Sequence, residues 1–544
     1  MSTTDRSRAL TRCAAAVAGR ATLAAALLVT LLAVAAVPGG CGSQPGGGSG
    51  GSASAHGVPR TLRVMVFNIE YGGTQVSFKK VAEAVKKAGP DVVGLEEAET
   101  NTGRLAKLAG YPYYNAGLQI VSRYPILEPS GAGGVYAFIE VQPGYVVAIS
   151  NVHLPSDPYG PNWIRDGKSA DQVIALEKRL RLPAIQQQVR VLPKVAAQGI
   201  PVFVTGDFNE PSHLDYTQAA VGTRPEVKYV VDWPVSQAMA DAGFKDSYRV
   251  AHPDPVKDPG LTWWAARPKV PGWNPTAKDP QDRIDFVYTA GPSKVVKSEI
   301  VGEEGNPAAS ITVTPWPSDH RAVVSTFAVV PGRMPVMVAT NKLLLRQGEP
   351  LVVTFHSPGQ GGETVVITQP TDTRLATPPP ALASQRAGTT GVTNGKVTFA
   401  TAKLPGTQLS VELRAGNGKV LAHAPVWVAR KGAKVQLILS HPSYKVGAPI
   451  VVNWRDAPAN RWDWIGVYKK SAADPSTDYY LIWQYTGGAE AGSVHGMPAG
   501  TMILDGGAAT QGSPWPLPPG KYVVYYLLAD AYTAAAKASF TVTK

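Results

Sequence analysis

The sequence predicts a layered α/β domain followed by two all-β sandwiches, and three observations predict it. From Arg60 to about Val329, short apolar runs alternate with amphipathic helical stretches. After Pro331 the helical periodicity all but disappears, and Val-rich runs alternate with Gly/Pro turns. This second region also repeats itself: the stretch Gln347 to Phe355 recurs 99 positions later as Val446 to Trp454. A chain of 544 residues exceeds what one core can bury, so two to four domains are expected.

Taken in order, residues 1–41 read as an export signal. Arg6, Arg8, Arg12 and Arg20 precede an apolar run from Ala21 to Val37, which ends in Pro38-Gly39-Gly40-Cys41. Small residues before Cys41, followed by Gly42-Ser43, resemble a bacterial lipoprotein box, with Pro38 where Leu is usual. Acylation of Cys41 would anchor the protein on the outer side of the cytoplasmic membrane. Plain secretion and a retained anchor are the alternatives. Residues 42–59 are Gly, Ser and Ala with hardly a large side chain, a flexible tether.

The first domain spans residues 60–330. Leu62 to Phe67, Asp91 to Leu95, Val146 to Asn151 and Pro201 to Thr205 read as strands, and Val76 to Ala88 as a helix. Two further helices are expected over Ala170–Arg181 and Ala184–Ala197. Residues 331–432 and 433–544 read as the two sandwiches. In the second, Trp462-Asp463-Trp464-Ile465-Gly466-Val467-Tyr468 looks like the Trp-Ile-Gly strand of SKICH-like sandwiches, with core aromatics as its simplest role.

Charge is distributed unevenly. Residues 1–41 carry a net +3, residues 42–330 are balanced, and residues 331–544 carry +9, within a total of +12. An enzyme that tracks long phosphate backbones places positive charge around its cleft. Here the excess lies in the C-terminal half, which points to an anionic cell-envelope surface as its partner. Cys13 and Cys41 are the two cysteines, so neither a disulfide framework nor a cysteine-ligated metal is expected.

Six separated fragments carry the chemistry: Asn68-Ile69-Glu70, Gly94-Leu95-Glu96-Glu97, Asn151-Val152-His153, Gly206-Asp207-Phe208-Asn209, Arg283-Ile284-Asp285 and Ser318-Asp319-His320. Each sets a carboxylate, carboxamide or imidazole beside an apolar β-rich run. Glu97 follows a buried strand, where an unpaired carboxylate is costly and a divalent cation would offset the cost. With no Cys and few His, an all-oxygen site suits Mg²⁺, or Mn²⁺ in its place, better than zinc. Asp207 can orient or deprotonate water, and Asn209 can donate to a phosphate oxygen.

Together, in this order, the six fragments resemble the endonuclease/exonuclease/phosphatase superfamily over residues 60–329. The resemblance implies a deoxyribonuclease-I-like four-layered α/β sandwich, with the site at one end of two packed sheets. It also implies residue roles. Glu97 matches the metal-binding Glu, and Glu96 stands where relatives carry Gln, in a supporting or surface role. Asn68 matches the carboxamide of the metal shell, Glu70 a position of Asp or Gln, and Asp319 a carboxylate near the metal. Asp285 and His320 resemble the Asp–His dyad. His153 matches the second histidine, where exonuclease-III-type enzymes carry Tyr.

The implied reaction is metal-assisted, in-line attack of water on phosphorus, with a phosphodiester as substrate. Within that class, an extracellular nuclease competes with a phosphomonoesterase or phospholipid hydrolase. A catalytically inactive, envelope-binding protein is the alternative of another class, and a monomer is expected. Arg123, Trp263 and Trp264 are the candidate substrate contacts, and the insertion from Ser156 to Lys178 is expected to overhang the site.

Overall fold

The computed structural model describes residues 56–544, except 130–131, 272–273, 371–378, 392, 472–473, 479, 488–496, 507–510 and 513–514. Cys41 and the export signal lie outside the described residues.

Residues 60–333 build two packed seven-stranded sheets. The first runs, edge to edge, Ala309–Val313, Ser293–Glu303, Ala322–Val329, Arg60–Asn68, Val92–Glu96, Ile120–Ser122 and Tyr113–Asn115. In the second, Ile126–Leu127, Ala137–Gln142, Tyr145–His153, Val202–Asp207, Asp285–Ala290 and Lys245–Asp246 follow in line, and Gly332–Arg333 pairs with Tyr145–His153. Side chains alternate between the two faces of each strand. Val64 and Val66 therefore meet Ile149, Phe203 and Val287 between the sheets, while Met65 and Phe67 meet the helix Phe78–Ala88 on the outside. The helix Ala170–Ala196 covers the outer face of the second sheet. Helix, sheet, sheet and helix make the four layers.

The helix Ala170–Ala196 corrects the expectation of two helices, because it continues through Pro183 and Pro193. An interior proline costs roughly 3 kcal/mol. Burial opposes that cost: Leu176, Ala184, Ile185 and Leu192 are all buried. Arg181 is sealed beside the first proline, bonded to Glu177 at 2.7 Å and to the carbonyls of Pro155, Ser156 and Pro158.

Register places the functional residues. Arg60–Asn68 and Val92–Glu96 are parallel, with Asn68 opposite Glu96. Tyr145–His153 and Val202–Asp207 are parallel, with His153 opposite Asp207. Asp285–Ala290 is antiparallel, so that Asp285 begins its strand opposite Asp207. Four strand ends and one strand start thus open on the same end of the two sheets.

The β-only region repeats one topology, with one additional strand, Gln511–Gly512, in the second copy. The repeated sequence forms Leu351–His356 and Ile450–Arg455, each the central strand of a three-stranded sheet. In each half a short strand, Leu344–Arg346 or Ser443–Lys445, runs parallel to the last strand, Val420–Ala429 or Ala534–Thr543. The apolar cores differ in composition. Residues 338–428 bury mainly Val and Leu, whereas the later strands carry an additional aromatic layer on their outer face, with Trp462, Trp464, Tyr468 and Tyr525.

Candidate active site

Close packing of the two sheets beneath the site depends on a small residue. Gly94 faces Asn151 and Thr205 across the sheets, and a Cβ there would lie 2.2 Å from Asn151 Oδ1 and 2.1 Å from Thr205 Oγ1. The space is used by hydrogen bonds. Asn151 Nδ2 donates to the carbonyl of Leu95 at 2.7 Å, and Thr205 Oγ1 donates to Asn151 Oδ1 at 2.7 Å. Asn151 is therefore a stitch between the sheets, two residues before His153.

Above the stitch, Asp207 is the hub. Its Oδ1 accepts the backbone N–H of Asn209 at 2.9 Å, and its Oδ2 accepts Asn68 Nδ2 at 3.1 Å. His153 Nε2 stands 3.6 Å and His320 Nε2 3.7 Å from the same Oδ2. Burial, only partly offset by His320, pushes the Asp207 carboxyl up to about 6. His320 Nδ1 donates to Asp285 Oδ2 at 3.0 Å. Burial opposes a charge on this imidazole, but Asp285, Asp207 and Asp319 outweigh it and hold its pKa well above the usual histidine value.

The loop that carries His320 is fixed from three sides. Ser318 Oγ donates to the Asn68 carbonyl at 2.7 Å, the Asp319 N–H donates to Glu70 Oε2 at 3.1 Å, and Trp316 Nε1 donates to the His320 carbonyl at 2.8 Å. Asp285 is held at its strand start by Thr262 Oγ1, which accepts the N–H groups of Ile284 and Asp285.

The metal-side residues gather next to this dyad. Glu97 Oε1 accepts Asn68 Nδ2 at 3.2 Å, and Oε2 accepts the Tyr71 N–H at 2.9 Å. Asp319 Oδ2 accepts the indole N–H of Trp263 at 3.3 Å. Among the described residues neither Glu97 nor Asp319 is in an ion pair. Glu70 is engaged differently: Arg267 pairs with its Oε1, yet burial and then Asp319 still raise its carboxyl to about 7. Glu96 is buried rather than at the surface, and burial followed by Asp285 and Asp207 raises its carboxyl well above the usual carboxylate range.

Such an excess of buried carboxylate over cation, offered by oxygen atoms, fits a hard divalent ion. Asp207, Asp285 and His320 also present ligand atoms within 4.8 Å of one another, a candidate metal cluster. His320 has its Nδ1 committed to Asp285, whereas Glu97 and Asp319 offer carboxylate oxygens that no ion pair occupies among the described residues.

Glu70, Tyr71, Glu97 and Asn209 all have positive φ, between 43° and 55°. Left-handed backbone at non-glycine residues costs about 1–3 kcal/mol each and concentrates at functional sites. No pattern in the sequence marks it.

Of the candidate substrate contacts, Trp263 reaches the site, with its ring centroid 6.4 Å from that of His320. Trp264 instead donates its indole N–H to the Asp279 carbonyl at 3.2 Å. Arg123 does not reach the site. It bonds to the carbonyl of Pro90 and faces Asp91 at 3.8 Å, before the start of Val92–Glu96 and thus at the strand end opposite the catalytic residues. In the expected overhang, Ser156, Asp157 and Pro158 do border the cleft, whereas Ala170 to Lys178 belong to the long helix. Arg283 is structural, buried between Asp215 and Asp246 at 2.8 and 2.7 Å.

One wall was not anticipated. Trp464, Trp483 and Tyr532 of residues 433–544 face His153 and Glu97 across a cavity of about 650 Å³. Arg461, fully buried, docks this wall by donating to the Asn151 carbonyl at 2.6 Å. The rings of Trp462 and His153 are 6.5 Å apart.

This fold and site define a metal-dependent phosphoesterase class, and comparison agrees. A model of the Endonuclease/Exonuclease/phosphatase family matches residues 65–320. A Caenorhabditis elegans protein named "Uncharacterized protein F14F9.5" is 32% identical over 297 residues, 49% of this chain and 92% of its own length. The chain belongs to the endonuclease/exonuclease/phosphatase family and is a hydrolase of phosphoric esters. Solved structures that it resembles include a family protein from Beutenbergia cavernae, 18% identical, covering 68% of this chain and all of that one, with a TM-score of 0.31. A Bacteroides thetaiotaomicron family protein is 15% identical, covering 50% of this chain and 99% of that one, with a TM-score of 0.30.

Proposed function

We propose that the protein is an exported, Mg²⁺-dependent phosphodiesterase that uses water as its nucleophile. The observation that carries this reading is the shared hub: one Asp207 oxygen faces Asn68, His153 and His320, with Glu97 one hydrogen bond further on. Bound at Glu97 and Asp319 with the Asn68 carboxamide, Mg²⁺ (or Mn²⁺) would polarise a phosphoryl oxygen.

The remaining steps belong to side chains. Asp207, ionised at neutral pH with a pKa near 6, accepts the proton of the attacking water. Asn209 N–H and Asn68 Nδ2 hold its two oxygens in place for that transfer. His320, kept positive through Asp285, and His153 face the charge that develops on the non-bridging oxygens. One water O–P bond forms as one ester P–O bond breaks, and the leaving alcohol takes up a proton. Export and an anionic envelope partner rest on the Arg-led apolar N-terminus and the +9 of residues 331–544.

The test is turnover of plasmid DNA, RNA, sphingomyelin and bis-p-nitrophenyl phosphate, with Mg²⁺ and with chelator. At least one diester is expected to be cleaved, only with metal, and His320→Ala is expected to lose several orders of magnitude while remaining folded. No turnover of any diester would end the proposal. Near-normal rates in folded His320→Ala would remove that residue's role.

A further inference from the structure

The wall supplied by residues 433–544 has a chemistry of its own. Trp464 anchors an aromatic wall: Tyr480, Trp483 and Tyr532 pack edge-on to it at 5.6, 6.1 and 5.7 Å, with interplanar angles of 79°, 81° and 85°. Trp464 is buried in the aromatic layer, whereas Tyr480, Trp483 and Tyr532 pack against that layer, are partly exposed and border the cavity. Three carboxylates beyond the metal-side Glu97 share this lining, Glu99, Asp157 and Asp530, and Asp530 accepts the Tyr485 hydroxyl at 2.7 Å. None of the described lining residues is Lys or Arg.

Aromatic rings and carboxylates along one cavity lining attract an organic cation, most strongly a quaternary ammonium that sheds little hydration. The same lining repels a second or third phosphate, because no cation awaits it. The scissile phosphate is provided for by His153 and Glu97 on the facing wall.

We infer that this cavity seats an ammonium-bearing alcohol of the choline type, esterified to the scissile phosphate, so that the second sandwich selects zwitterionic phosphodiesters over nucleic acid. This rests on the phosphodiesterase reading above. The shared chemistry, a phosphate ester of an amino alcohol, occurs both on lipids and as soluble glycerol diesters.

Two measurements on the full chain test it. The first needs no turnover: saturation-transfer NMR with choline chloride, and with glycerol as the neutral probe. Transfer to the choline methyl protons is expected, at least tenfold weaker in Trp483→Ala, retained in Trp483→Phe and reduced in Asp530→Asn. The second compares kcat/KM for glycerophosphocholine and glycerophosphoglycerol, with phosphatidylcholine vesicles as a further arm. At least a tenfold preference for the choline ester is expected, on either the soluble or the vesicle substrate, and the arm that shows it names the source.

Equal transfer to choline and glycerol would overturn the inference, as would transfer unaffected by both Trp483→Ala and Asp530→Asn. Hydrolysis of both glycerol diesters and of phosphatidylcholine vesicles at equal efficiency would do the same while leaving the phosphodiesterase standing. Choline binding without hydrolysis of any diester would support the cavity assignment and overturn the catalytic one.

Discussion

Asp207→Asn separates what the site requires for chemistry from what it costs the fold. The Asp207 carboxyl is fully buried, with its pKa raised from an ordinary 3.8 to about 6. A group raised in the folded state binds its proton more tightly there than in the unfolded chain. Above pH 6 the ionised form therefore destabilises the metal-free protein, by about 3 kcal/mol at 1.36 kcal/mol per pKa unit. That penalty fades as pH falls through 6 and is gone near pH 4.

The carboxamide of the variant would carry no charge at any of these values. It keeps an acceptor for the Asn209 N–H but sets an amide N–H₂ against Asn68 Nδ2, losing one hydrogen bond worth about 1 kcal/mol. The net is a gain of about 2 kcal/mol at pH 8, or roughly 5 °C in the melting transition of a domain of this size. Turnover should fall by several orders of magnitude, and the wild-type rate should rise through an acid limb near pH 6. Calorimetry with chelator at pH 8 and pH 5 measures the stability difference. A variant less stable than wild type at pH 8, or a difference that does not shrink at pH 5, would refute the reasoning.

Two further perturbations test the framework. Gly94→Ala places a Cβ into Thr205 and Asn151 and should cost about 3–5 kcal/mol through overpacking and broken buried hydrogen bonds, seen as a lowered melting point or insoluble expression. Arg461→Ala removes the charged donor to the Asn151 carbonyl, a bond of roughly 2–3 kcal/mol. It should speed hydrogen exchange over Asn151–His153 and proteolytic release of residues 433–544, leaving the melting of residues 60–330 nearly unchanged.

Much of the site was legible because several of its residues terminate or begin apolar strands, whereas Glu97, Asp319 and His320 lie just outside them. Asn68, His153, Asp207 and Asp285 are where period-2 runs end or start, so their convergence follows once the strands pair in register. The two β-only repeats were legible for a similar reason, since the shared turn-and-strand sequence became the same central strand twice. Arg123 was misplaced because a short strand and its turn leave the sheet end undetermined until its pairing with Val92–Glu96 is known. The single long helix was missed because proline propensity is local, whereas the burial that overrides it is tertiary. The aromatic wall was invisible for another reason: nothing in Trp464 or Trp483 distinguishes a ring facing its own core from one facing a neighbouring domain's cleft.

The docking contact of Arg461 bears on how this enzyme can be divided. Its guanidinium grips the carbonyl of Asn151, the residue whose side chain stitches the sheets and whose strand ends in His153. A fragment cut at residue 330 would keep every acid, amide and imidazole of the hydrolytic hub. It would also leave that strand end bare to solvent and half the mouth of the cleft missing. Two modules that look separable along the chain thus share one cleft, lined from one side by residues 60–330 and from the other by residues 433–544.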